Sequence, residues 1–301
     1  MALHNNFKGA LLMTLAMAGF TVNDAMVKLV APDMNTGQIM FIRGLLTSIL
    51  VFTLAWRMGA MRPLKTLLDP YLLLRTIGDL LSSVAYVSAL GLLPLPNAAA
   101  ILQALPLAVT MGAALFLGEH VGWRRWIAIC IGFAGVLIII GPDAEGFTFG
   151  GLLVVSSVIT AAMRDLATKK INPQTPTLFI SAVTSMVITI FGAVLIVPFG
   201  GWRPVPLPDL AALTLGASAL FVGYQTLISA MRTGEISFIA PFRYTSLLWA
   251  VLLAALILAE YPDVWMLLGS AIVIAAGLFT FYRESKRHRA PVAASATATS
   301  S

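Results

Sequence analysis

Hydrophobic positions along this chain fall into ten long blocks separated by short polar breaks. Apolar stretches bounded by charge, proline or glycine run at about 8–30, 37–57, 71–93, 96–118, 123–141, 149–168, 177–198, 209–231, 236–259 and 263–282. Each block is close to the roughly 20 residues a helix needs to cross a bilayer core. The pattern therefore predicts an all-α polytopic membrane protein with ten transmembrane helices, numbered 1 to 10 in chain order. Connections such as Leu93 to Leu95 or Tyr261 to Asp263 leave room only for tight turns between antiparallel neighbours. After Arg289 the tail APVAASATATSS has no periodicity and no bulky apolar residue, which predicts disorder over 290–301.

The chain also resembles itself. Sliding it by 141 residues lays Gly9 on Gly150, Leu11 on Leu152, Leu12 on Leu153, Asp24 on Asp165, Lys28 on Lys169 and Glu119 on Glu260. One residue more aligns Trp123 with Trp265 and Gly135 with Gly277, and Tyr86 meets Tyr224 at a slightly smaller offset. Leu and Gly matches are cheap in an apolar chain, whereas the Asp, Lys, Glu and Trp matches carry weight. The repeats are 8–141, holding helices 1–5, and 149–282, holding helices 6–10. Five is odd, so the second half enters the membrane with the opposite orientation, and a pseudo-two-fold axis in the membrane plane should relate the halves. Two similar halves rocking about a central site suit alternating access better than they suit a receptor or a structural protein.

Composition narrows the class. With 59% hydrophobic and 11% charged residues in 301, no length is left for a soluble catalytic domain. The net charge of +6 is dispersed over short connections and one C-terminal cluster, a distribution that speaks for membrane orientation and against a nucleic-acid partner. Lys8, Arg57, Arg62, Lys65, Arg124, Arg125, Lys169, Lys170, Arg232, Arg283, Lys286, Arg287 and Arg289 lie on the side of the termini. Only Arg203, with Lys28 at a helix end, lies opposite. Both termini are thus expected in the cytoplasm and the chain in a bacterial inner membrane. Lys8, an apolar core and Ala16-Met17-Ala18 imitate a cleavable signal peptide, but helix 1 is one leg of the repeat and is expected to be retained. A single cysteine, Cys130, and three histidines at His4, His120 and His288 in predicted loops or termini leave no metal site to expect. No GxxxxGK[ST], HExxH or GxSxG motif occurs, so the reading is neither an enzyme nor an ATP-driven pump, and no cofactor is expected.

Each half ends in an apolar run, a small residue and a glutamate, Leu117-Gly118-Glu119 and Leu258-Ala259-Glu260, followed by a glycine-bearing final helix with Gly132 and Gly135 or Gly269 and Gly277. In this order, twice, over residues 8 to about 285, the chain resembles the EamA family of the drug/metabolite transporter superfamily. One departure is that the proline thirteen residues before Glu119, Pro106, has Leu247 as its counterpart. The resemblance implies a secondary transporter of small metabolites, with a central cavity lined mainly by helices 1, 3, 4, 6, 8 and 9 and with helices 5 and 10 more peripheral. Among bacterial branches the chain is similar in style to riboflavin importers, an exporter of amino acids or related metabolites being the alternative and a non-carrier channel the further one. The partners implied are a small-molecule substrate, the lipid bilayer and, as the oligomeric option, a homodimer.

Polar residues inside spans are costly, roughly 2.5–3.5 kcal/mol for a charge at a helix centre, and so mark where transport chemistry belongs. They are Asn23, Asp24, Lys28, Arg43, Arg75, Asp79, Gln103, Arg164, Asp165, Lys169, Gln225 and Arg243. Asp24 and Lys28, Arg75 and Asp79, and Asp165 and Lys169 are spaced i,i+4, a pattern that predicts self-neutralising pairs on one helix face. Arg43 and Arg243 have no acid within four residues and need a partner from elsewhere. Pro106 and Pro241 interrupt helices 4 and 9, which are counterparts, and broken helices at matching places point to a transporter's site. Together with aromatic surface that suits a flat solute, these considerations select Asp24, Arg43, Asp79, Gln103, Tyr224, Arg243 and Tyr244 as substrate-binding or gating residues.

Overall fold

The structure, a computed structural model, describes the backbone of residues 2–141, 148–233 and 236–298, and the side chains within these except at 2–4, 64, 232, 236–237 and 284–298. Among the described residues there is no strand, and ten helices are long and apolar enough to cross a membrane. Helix 1 is Ala2–Val30, helix 2 Thr36–Arg57, helix 3 Pro70–Leu90, helix 5 Trp123–Ile140, helix 6 Phe149–Thr168, helix 7 Thr177–Leu195 and helix 8 Leu207–Thr233. Helix 4 is two segments, Leu95–Leu102 and Leu105–Phe116. Helix 9 is a succession of Ile236–Ile239, a 3-10 turn Ala240–Tyr244, an α segment Thr245–Leu253 and a π turn Ala254–Leu258.

Helix 10 is Val264–Ala298, so the helical backbone runs on beyond Arg289 into the tail expected to be irregular. Residues 299–301 of that tail lie outside the described residues.

Local chemistry sets where the helices begin. The Asn35 side chain accepts from the Gln38 N–H at 2.9 Å to start helix 2, and Asp69 accepts from Tyr71 and Leu72 ahead of Pro70 to start helix 3. Thr148 accepts from Gly151 at helix 6. Each satisfies donors that have no partner within the helix.

Packing follows the repeat. The most extensive helix pairs are 1 with 8, 3 with 6, 2 with 7 and 5 with 10. Exchanging every helix for its counterpart five places on turns the 1–8 pair into the 6–3 pair and returns 2–7 and 5–10 to themselves, which is the signature of two inverted halves about a two-fold axis. The exchange holds at single residues. A Cβ on Gly19 would lie 2.7 Å from the Ala219 carbonyl oxygen, and one on Gly78 would lie 2.9 Å from that of Thr160. Gly19 and Thr160 are 141 apart, and so are Gly78 and Ala219. Lipid offers no hydrophobic drive between helices, so close backbone approach at such positions supplies the packing.

The core is lopsided along the membrane normal. At the ends away from the termini one apolar cluster joins helices 1–6 and 8–10, including Val30, Met34, Met40, Leu90, Leu95, Leu213 and Met266. At the side of the termini the buried apolar residues split into three separate groups: Met13, Ala16, Met17, Ala230 and Ile239; Leu72, Ile171, Phe179 and Ile180; and Leu107, Ile129 and Ala276. We call the far side sealed, because its apolar core is continuous, and the terminus side splayed, because its core is divided.

Candidate functional site

Between the sealed end and the splayed one lies a cavity of about 360 Å³, lined by Met17, Phe20, Thr21 and Asp24 of helix 1, Tyr86 of helix 3, Ala99, Leu102, Gln103, Leu105, Pro106, Leu107, Val109 and Thr110 along helix 4, Asp165 of helix 6, Ala240, Pro241, Arg243, Tyr244 and Ser246 of helix 9 and Gly277, Leu278, Thr280 and Phe281 of helix 10. Its volume falls in the small-molecule range. Both broken helices contribute, and they break at matching places. The interruption after Leu102 and the end of the 3-10 turn at Tyr244 are about one repeat apart, although Pro106 sits inside the second segment of helix 4 whereas Pro241 sits inside the turn. At this junction Gln103, buried, donates to Ser246 Oγ at 2.8 Å, stitching the two breaks together.

Four of the seven expected site residues line the cavity: Asp24, Gln103, Arg243 and Tyr244. Arg43 and Asp79 are held just behind it. Arg43 donates to the Asn23 side-chain oxygen at 3.4 Å, Asn23 donates to Asp24 Oδ1 at 2.9 Å, and the Tyr86 hydroxyl donates to Asp24 Oδ2 at 3.1 Å. On the other half Arg164 bridges Asp79 at 2.9 Å and Asp165 at 2.8 Å, and Arg75 donates to Thr184 Oγ1. Asn23 and Arg164 are counterparts in the repeat, as are Arg43 and Thr184, so the arginine has changed helices while the aspartate has stayed. Tyr224, the seventh, packs edge-on against Phe20 with centroids 5.1 Å apart and is not in the cavity wall.

Three expected pairings are corrected. Lys28 bonds Glu260 at 3.3 Å rather than Asp24, Lys169 bonds Glu119 at 3.2 Å rather than Asp165, and Asp79 takes Arg164 rather than Arg75. An i,i+4 pair on one helix is a weak attraction, and the fold brings a closer partner to each: Glu260 and Glu119 from the connections after helices 9 and 4, and Arg164 from helix 6. The expected lining also changes. Helix 8 lies behind helix 1 and contributes nothing to the wall, while helix 10, expected to be peripheral, does. Gly277 admits this: the Tyr244 hydroxyl occupies the space its side chain would fill, so the tyrosine at the break in helix 9 reaches helix 10.

Tyr86, Asp165 and Ser246 were not among the expected site residues. Tyr86 and Asp165 had a signal, since each matches a residue of the other half. Ser246 had none, because serines in membrane helices ordinarily satisfy themselves on a nearby carbonyl, as this one also does with Arg243 at 3.0 Å.

Chemically, the wall offers two carboxylates at counterpart positions, Asp24 and Asp165, one exposed guanidinium at Arg243, the Gln103 and Tyr244 polar groups, and the rings of Phe20, Tyr86 and Phe281. Among the described residues no group of three potential metal ligands occurs.

Comparison with known proteins agrees with this geometry. The EamA-like transporter family model matches twice, over residues 7–141 and 148–282. The chain is 29% identical over 276 residues to the S-adenosylmethionine uptake transporter of Rickettsia bellii, covering 90% of this chain and 92% of that one. It is 30% identical to the riboflavin transporter of Rhizobium johnstonii, covering 73% and 72%. It is 24% identical to the pseudopaline exporter CntI of Pseudomonas aeruginosa, covering 89% and 94%. Ten apolar helices, two halves exchanged by a two-fold axis and a family match on each half converge: the chain belongs to the EamA-like transporter family and is a multi-pass membrane protein.

Proposed function

We propose that this protein is a secondary carrier that moves a small metabolite with a flat heteroaromatic body and polar groups at both ends, by alternating access through the cavity between its halves. The observation that carries the reading is the composition of the cavity wall. Asp24 and Asp165 accept from, or neutralise, a donor or cationic end; Arg243 and Gln103 donate to an acceptor end; Phe20, Tyr86 and Phe281 flank a planar body. Riboflavin meets this description with its fused rings and hydroxyl-bearing side chain, and S-adenosylmethionine meets it with its adenine, sulfonium and carboxylate. Relatives named for the transport of each compound support the class. Uptake is the direction we assign, supported by the relative named as an uptake transporter; placement in an inner membrane with the termini in the cytoplasm is supported by the excess of Lys and Arg at the terminus side. Export is the second reading, supported by the relative named as an exporter.

Thermal unfolding of the purified protein against riboflavin, S-adenosylmethionine, free amino acids and nucleosides tests the class. A ligand at 100 times its Kd stabilises the folded state by about 2.7 kcal/mol, a rise in Tm of several degrees. One of the two heteroaromatic compounds should give that rise and Asp24→Asn should abolish it. A rise with amino acids alone would contradict the reading.

A further inference from the structure

The two ion pairs at opposite ends of the bundle are the same object made twice. Lys28 and Lys169 are 141 residues apart, and so are Glu260 and Glu119. The repeat extends to the backbone that presents each glutamate. Gly118 and Ala259, again 141 apart, both take a left-handed conformation, with φ of 68° and 53°. The N–H of Glu119 reaches back to the Ala113 carbonyl at 3.2 Å and that of Glu260 to the Ala254 carbonyl at 3.1 Å, and Ala113 and Ala254 are also counterparts. Ala259 is the one non-glycine residue at positive φ among the described residues. Such a backbone persists only where its surroundings enforce it.

The copies differ in how tightly they are held. Lys28 and Glu260 are 16% and 22% exposed, and both also bind the connection between helices 3 and 4: Lys28 Nζ donates to the Leu93 carbonyl at 2.7 Å, and Glu260 Oε2 accepts from the Leu95 N–H at 2.7 Å. Lys169 and Glu119 are 49% and 47% exposed, a setting in which an ion pair contributes little. The tight copy lies on the sealed face and the loose copy on the splayed one.

We propose that Lys28–Glu260 and Lys169–Glu119 are the two locks of the transport cycle, one for each face, and that the structure is the state in which the far lock is shut and the terminus-side lock is slack. Shutting the far lock gathers the end of helix 1, the helix 3–4 connection and the helix 9–10 connection around one half-buried charge pair. Opening it frees those three elements together. The inverted repeat gives the opposite face an equivalent pair, so that the exchange of tight and loose copies accompanies the exchange of open and closed faces. None of the four residues lines the cavity. They act through the helix ends they join, as positioning residues.

The inference rests on alternating access, but its test needs no substrate, so it and the substrate assignment can fail separately. Spin labels on the full chain carrying Cys130→Ser, at Leu92 with Tyr261, read the far face; labels at the counterpart positions Thr233 with His120 read the terminus face. Double electron–electron resonance should give a short, narrow Leu92–Tyr261 distribution. Glu260→Gln should raise the ratio of molecules with the far face open by about tenfold, a change within reach of one ion pair, and shorten the Thr233–His120 distance in step. Glu119→Gln should leave the Leu92–Tyr261 distribution unchanged, since its pair is already slack, and Lys28→Arg should keep the far face closed. Folded Glu260→Gln protein with wild-type distributions would overturn the proposal, as would both faces moving in the same direction. If Glu260→Gln yields no folded protein, Lys28→Met is read in the same way. Failure of both to fold overturns the proposal too, because a lock that opens in every cycle cannot be a condition of folding.

Discussion

Charge inside this bundle is balanced residue by residue. Behind and beside the cavity stand three carboxylates, Asp24, Asp79 and Asp165, and three guanidinium groups, Arg43, Arg75 and Arg164; Arg164 bonds Asp165 on its own helix and Asp79 on helix 3, while Arg43 reaches Asp24 through Asn23. Arg164 is the hub, holding Asp79 and Asp165 at once. Arg164→Ala should therefore strand a largely buried carboxylate and cost about 3 kcal/mol or more of stability, seen as a large drop in Tm in detergent. Asp24→Asn keeps an oxygen for the Tyr86 hydroxyl but loses the acceptor to which Asn23 donates, and should lower Tm much less than Arg164→Ala while removing ligand stabilisation. Equal losses of Tm in the two variants would contradict this division between structural and binding carboxylates. The members of this network are visible in the sequence as polar letters in apolar blocks; their partners are not. Spacing pairs Lys28 with Asp24, but the fold brings Glu260 from the far end of the chain, and only the coincidence of Lys28 with Lys169 and Glu119 with Glu260 at one offset hints that the two belong together.

Among elements, helix positions follow directly from the apolar blocks, because every backbone polar group in a bilayer has to be satisfied within its own helix. Where the helices break is harder to read. Pro106 and Pro241 point to helices 4 and 9, yet the interruption in helix 4 falls at Gln103 and Ala104, ahead of the proline, which sits near the start of the following segment where it costs no hydrogen bond. Which helices touch is not legible from hydropathy either; it is decided by small residues at crossings. Gly78→Leu would drive a side chain into the helix 6 backbone at Thr160 and Arg164 and should leave little folded protein. Gly122→Ala, with nothing within 4 Å of the new Cβ, should leave yield unchanged. Comparable yields of the two variants, measured by fluorescence size exclusion, would show that the helix 3–6 crossing is not as close as described.

At the scale of the whole molecule, the inverted repeat explains features that otherwise look unrelated: the pairing of helices 1 with 8 and 3 with 6, the counterpart aspartates in the cavity, and the twin lysine–glutamate pairs. It also fixes a topology. Reporter fusions after Asp33 and Arg203 should register the outside, and fusions after Arg289 the inside; the reverse pattern would contradict the orientation assigned from the Lys and Arg excess. An odd number of helices per half is what allows one chain to carry matching machinery on both faces, and the asymmetry between sealed and splayed ends is what a carrier caught in one of its two states should have. Counterflow tests this most directly. Proteoliposomes loaded with unlabelled riboflavin or S-adenosylmethionine, whichever stabilises the protein, and then given a trace of the labelled compound outside should show saturable uptake that transiently overshoots equilibrium. A carrier that turns over with substrate bound in both directions requires the overshoot. Unsaturable flux that never exceeds equilibrium, indifferent to what lies inside, would contradict alternating access.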